Sequence, residues 1–72
     1  MEMNFNGAKL RAYRESKHLS REALVDGLEI SERYLADLER GICDNPSVKK
    51  LYPVCHVLGI TIESLLTIDE DR

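Results

Sequence analysis

SREALVDGLEISERYLADLE, residues 20–39, is the stretch whose punctuation decides the fold. Ser20 and Ser31 each stand just before an amphipathic run, where a serine hydroxyl can accept a hydrogen bond from one of the backbone amides that a helix start leaves without a partner. After Ser20 come Glu22 and Ala23 in a first turn, then Leu24, Val25 and Leu28 as an apolar stripe. After Ser31, Leu35 and Leu38 share one face, and the run ends near Arg40, where Gly41 offers the left-handed conformation that closes helices. The spacing predicts two short helices separated by about two or three residues, the connection length of a helix-turn-helix.

Working outward, the same signals recur on both sides. Asn6 is an N-cap for a first helix, Phe5 before it can pack on Leu10 as a hydrophobic staple, and Leu10, Tyr13 and Arg14 share a face up to a stop near Lys17-His18. Beyond the loop Ile42-Cys43-Asp44-Asn45-Pro46, Ser47 caps a fourth helix reaching Leu58-Gly59, and Thr61 caps a short fifth through about Leu66. Pro53 lies inside the fourth helix and removes the backbone bond to Lys49. At about 100° per residue, Val48, Leu51, Cys55 and Leu58 cluster on one side and Pro53 falls opposite, so the expectation is a continuous helix with a bend and the orphan carbonyl toward water. The fold expected is all-α and five-helical, one domain over residues 1–72 with its core in 7–66 and a solvated acidic tail at 69–72.

Size and composition narrow the function. Seventy-two residues make one core of modest stability, and 43% hydrophobic with 32% charged residues suits a folded chain rather than a disordered one. No stretch approaches the roughly 18 to 20 apolar residues of a membrane span, and the start lacks a secretory signal pattern, so a cytoplasmic location is expected. Cys43 and Cys55 build no disulfide framework, and with His18 and His56 they match no zinc spacing; Cys55 reads as core, Cys43 as a loop thiol and both histidines as surface residues. There is no phosphate loop and no nucleophile–base arrangement, and the body is too small to enclose a substrate pocket. Neither catalysis, cofactor, metal nor small-molecule substrate is expected.

The motif and its flanks together resemble the helix-turn-helix domains of the lambda-repressor, Cro and Xre-like regulators. Leu24, Leu28, Ile30, Leu35 and Leu38 stand where that family places apolar residues, and the likeness continues through LRAYRES at 10–16, ERG at 39–41, Asn45-Pro46-Ser47 and LGITIESLL at 58–66. The resemblance implies that Arg14 pairs with Glu39, tying the first helix to the end of the third. It also exposes two departures. Val25 replaces a small residue of the second helix, and Glu29 replaces the usual turn glycine, where a left-handed backbone would cost of order 1 kcal/mol.

In such a motif the second helix enters the DNA major groove with its N-terminal half against the bases, while the first lies across the backbone. With Leu35 and Leu38 turned to the core, the outward face comprises Glu32, Arg33, Ala36, Asp37 and Arg40, the positions the resemblance assigns to DNA, with Ser31 at the helix start. Arg33 leads as a base reader, because its planar fork can donate twice to guanine O6 and N7; Glu32 and Asp37 could accept from cytosine N4. Tyr34 either contacts DNA or packs. Arg21, at the start of the second helix, is placed for a phosphate, and Lys49 and Lys50, with Lys9 and Arg11, for flanking ones.

The charge distribution pulls the other way. Thirteen acidic and ten basic residues give a net charge of −3. Residues 1–21 carry five basic and two acidic side chains, whereas residues 22–46, the segment assigned to reading, carry two basic and seven acidic. A rival reading is therefore a protein-binding module on the same fold that presents an acidic face to a basic partner. If DNA is the ligand, a domain this small is expected to act on a two-fold operator as a homodimer. Ile60, Ile62, Leu65, Leu66 and Ile68 either supply that dimer contact or cover the core.

Overall fold

The computed structural model describes residues 2–43 and 45–69. Four α-helices carry the fold: α1 (Gly7–Ser16), α2 (Arg21–Val25), α3 (Glu32–Arg40) and α4 (Val48–Leu58). Three of the four start as the sequence requires. The Asn6 side chain accepts from the amides of Ala8 and Lys9 at 3.0 and 3.2 Å, Ser20 from that of Ala23 at 3.0 Å, and Ser31 from that of Tyr34 at 3.0 Å. Ser47 occupies the corresponding place before α4 but makes no side-chain capping bond.

Three helices also end alike. After α3 and α4, Gly41 and Gly59 take left-handed backbones, and the carbonyls of Asp37 and Cys55 accept from the residue five positions on. This pairing of a left-handed residue with a six-to-one hydrogen bond satisfies carbonyls that a helix end would otherwise orphan. α1 closes in the same way, with His18 in the left-handed position at φ 57° and Leu19 N–H donating to Arg14 O.

The turn of the motif solves the backbone problem that Glu29 poses. Asp26 at φ −59°, ψ 122° followed by Gly27 at φ 81°, with Leu28 N–H donating to Val25 O at 2.9 Å, is a type II β-turn. That turn demands a positive φ at its third residue, and glycine supplies it without steric cost. Glu29 keeps an ordinary backbone, and the strain expected there is absent because Gly27 takes the left-handed position two residues earlier.

Every helix sends residues into one core: Leu10, Leu24, Leu35, Leu38, Leu51, Val54, Cys55, Leu58 and Leu65 are buried, with Phe5, Leu28, Ile30, Ile60 and Ile62 packed against them. Burial raises the pKa of the Cys55 thiol above its ordinary value. One expectation for α4 needs correcting, while its continuity through Pro53 holds. Val48 is 63% exposed, since it opens the helix and its side chain tilts back past the helix start, and Val54 takes its place in the core. Pro53 is half-buried, and α4 runs through it unbroken.

The carboxyl end departs further from the sequence reading. In place of a fifth α-helix there is a single 3₁₀ turn, Ile62–Leu65, and then a strand, β2 (Leu66–Asp69), antiparallel to an N-terminal strand, β1 (Glu2–Phe5). The described chain is thus mostly helical rather than all-α. Phe5 faces Leu66 in register and Asn4 faces Thr67. The ribbon is fastened to α1 by Asn6 N–H donating to Leu65 O at 2.7 Å, Asn6 Nδ2 to Thr67 Oγ1 at 2.9 Å and Lys9 Nζ to Leu66 O at 3.1 Å. Asp69 of the expected tail is therefore a strand residue, while residues 70–72 lie outside the described chain. Leu65 is fully buried and Ile60 and Ile62 partly so, which makes core cover their first role.

Candidate nucleic-acid interface

α3 is anchored from one side. Leu35 and Leu38 are fully buried, and a close approach of backbones brings α1 against the helix at Gly7, where a Cβ would overlap the Leu38 carbonyl oxygen. The opposite side carries Glu32, Arg33 and Arg40 exposed, with Ala36 and Asp37 half-buried. Among the described residues neither Arg33 nor Arg40 has a carboxylate within salt-bridge distance. The sequence-read outward face is thus one surface, and its two arginines are in no salt bridge among the described residues. Ser31 sits at its N-terminal end, exposed, with its oxygen engaged as the helix cap.

What fixes the tilt of this face is a buried ionic junction. Arg14 donates to both oxygens of Glu39, from Nε at 2.7 Å and from Nη2 at 3.2 Å, and its Nη1 donates to Leu19 O at 2.6 Å. The planar guanidinium fork suits this two-pronged bond, and the bond to Glu39 raises the Arg14 pKa further, holding the charge. Glu39 lies at the end of α3 and Arg14 in α1, so the pair implied by the resemblance locks the first helix to the third. Arg21 completes the junction, with Nε 3.1 Å from Glu39 Oε1. Sequence reasoning placed Arg21 toward phosphate and missed this contact, since nothing in the spacing of residues 21 and 39 across a turn signals it.

Two more of the candidate residues meet each other. Lys50 Nζ lies 5.0 Å from the centroid of the Tyr34 ring, within the range of a cation–π contact, and joins α4 to α3. Tyr34 itself is half-buried, and burial, reinforced by the neighbouring Cys43, raises its hydroxyl pKa above the ordinary value. Lys49 is exposed in the first turn of α4. The flanking candidates have local partners: Lys9 donates to Leu66 O, and Arg11 forms an exposed pair with Glu15 at 3.5 Å, of the kind worth little in water.

A helix-turn-helix family model matches residues 10–65, from the middle of α1 to the end of the 3₁₀ turn. The chain belongs to the helix-turn-helix family. Among its relatives, this helix-turn-helix domain is 32% identical over 60 residues to the transcriptional regulator SinR of Bacillus subtilis, covering 83% of the chain and 54% of SinR. It is 38% identical over 58 residues to the regulator DdrOP3 of Deinococcus deserti, covering 81% of the chain and 44% of that protein. The domain therefore spans about half the length of these curated relatives. In three dimensions it is similar to the SinR structure solved in complex with DNA, with a TM-score of 0.76 and 30% identity over 82% of the chain and 97% of the solved one. The family resemblance read across about residues 7–66 is thereby borne out, the matched span being 10–65.

Proposed function

We propose that this chain is a DNA-binding unit of a transcriptional regulator, reading a specific operator through residues 31–40. The observation that carries the reading is the division of α3 into a buried anchor, Leu35 and Leu38, and an exposed far side centred on Arg33. Arg33 donates to a guanine edge, Glu32 and Asp37 accept from cytosine amino groups, and Ser31, Tyr34 and Arg40 contact the rim of the groove. Lys49 and Lys50 face phosphate beside the start of α4, where Ser47 leaves the first amides without a side-chain cap. The SinR complex with DNA supports the ligand class.

A domain of this size makes too few contacts for tight binding alone, so the reading includes a homodimer on a two-fold site with half-sites about one DNA turn apart. Half-buried Ile62 and Leu66, beside exposed Val48 and Tyr52, supply apolar surface toward such a contact. Among the described residues no helix is long and apolar enough to cross a membrane. The rival, an acidic protein-binding face, rests on the acidic residues of segment 22–46 other than Glu39, which is buried in the junction.

Selection from a random duplex pool, followed by salt titration on the recovered sequence, tests the proposal. The expected result is one recurrent motif, often repeated about one helical turn away, with affinity falling steeply as salt rises through counterion release. Failure to retain any duplex at low salt would overturn the DNA reading in favour of the protein-binding one.

A further inference from the structure

One carboxylate at the helical junction serves two guanidinium groups. Glu39 side chain is 1% exposed and Arg14 9%, while Arg21 is 28% exposed, so the junction of two cations and one anion carries its surplus positive charge on its outer member. Arg21 spends one donor, Nε, on Glu39; the described residues give neither Nη group an acceptor. A guanidinium presents five N–H donors in a rigid plane, so fixing Nε on Glu39 also fixes the direction in which the two Nη groups point. They belong to the first residue of α2, the helix that lies across the DNA backbone in the reading above.

We propose that Arg21 is a positioning residue that couples phosphate contact to the tilt of the recognition helix. Its Nη groups bind one DNA phosphate, while its Nε holds Glu39 and so the C-terminal end of α3. The phosphate supplies the second anion that the junction lacks, and the bound backbone thereby sets the angle at which Arg33 meets its base. This inference rests on the DNA reading and assigns Arg21 a role beyond that of a plain phosphate contact, which would affect all sequences alike. Lysine at this position would carry the charge but not the coupling, because a single ammonium on a flexible stem cannot orient the carboxylate and the phosphate in one plane.

The test compares wild-type protein, Arg21→Ala and Arg21→Lys on two duplexes, the sequence recovered by selection and a scrambled version, with each Kd measured over a salt series. Thermal unfolding of each variant runs alongside. Wild-type protein that binds neither duplex removes the DNA reading itself and leaves no phosphate for Arg21. With wild-type binding in hand, Arg21→Ala is expected to lower the slope of log K against log salt by about one. It also narrows the preference for the selected duplex, by roughly tenfold. Arg21→Lys restores the slope but not the preference. Three outcomes overturn the coupling: Arg21→Ala weakening both duplexes equally, Arg21→Lys recovering slope and preference together, or loss of preference with an unchanged slope, as for a residue that only holds the fold. Should Arg21→Ala fail to fold, Arg21→Lys alone decides by whether preference and slope separate.

Discussion

Glu39 is the buried anion on which two arginines from two helices converge. Removing it leaves the buried Arg14 guanidinium without its anion, whereas removing Arg14 leaves Glu39 still held by Arg21. Glu39→Ala is therefore expected to lower the unfolding free energy in urea by about 3–5 kcal/mol, and Arg14→Ala by less. Equal losses for the two would show that Arg21 gives Glu39 no compensation. His18 is a second residue whose cost is local: it sits at φ 57° where α3 and α4 use glycine for the same closure. His18→Gly should raise stability by about 0.5–1 kcal/mol by relieving the left-handed penalty, and a drop in Tm on that substitution would contradict it.

At the scale of elements, the α1–α3 contact depends on having no side chain at Gly7. In an isolated helix, glycine to alanine gains up to about 1 kcal/mol, but here the new Cβ meets the Leu38 carbonyl, backbone that cannot step aside. Gly7→Ala is expected to reverse that sign and cost about 1–3 kcal/mol by overpacking, read from the urea midpoint. Much of this level was legible in the sequence, because caps and periodicity are local. Asn6, Ser20, Ser31 and Gly41 mark their helix ends, and Leu35 and Leu38 mark the face that α3 buries. The exceptions are all long-range. β1 and β2 pair across more than sixty residues, and the four residues of each strand carry no pattern strong enough to outweigh the helical signal of Thr61 and the following apolar run. The Arg21–Glu39 contact and the tight approach at Gly7 likewise exist only once the helices have packed.

For the whole molecule the arithmetic is unforgiving. At about 0.05–0.15 kcal/mol per residue, a chain of this length has roughly 4–11 kcal/mol of stability, so any of these substitutions removes or adds a large share of it. The ribbon that joins the two ends and the junction that joins α1, α2 and α3 serve the same purpose, holding a small body rigid enough to present one face of α3. That face mixes Arg33 and Arg40 with Glu32 and Asp37, in a chain of net charge −3, so under the proposed function general attraction for DNA would be weak and recognition would depend on a few well-aimed contacts. Of these, Arg33 is the one to test. Its binding to the selected duplex and to each single base-pair variant should be compared with that of Arg33→Ala. A loss of about 1–3 kcal/mol on the selected site is expected, with a preference that relaxes at one base pair only; unchanged affinity with unchanged preference would remove Arg33 from the reading face.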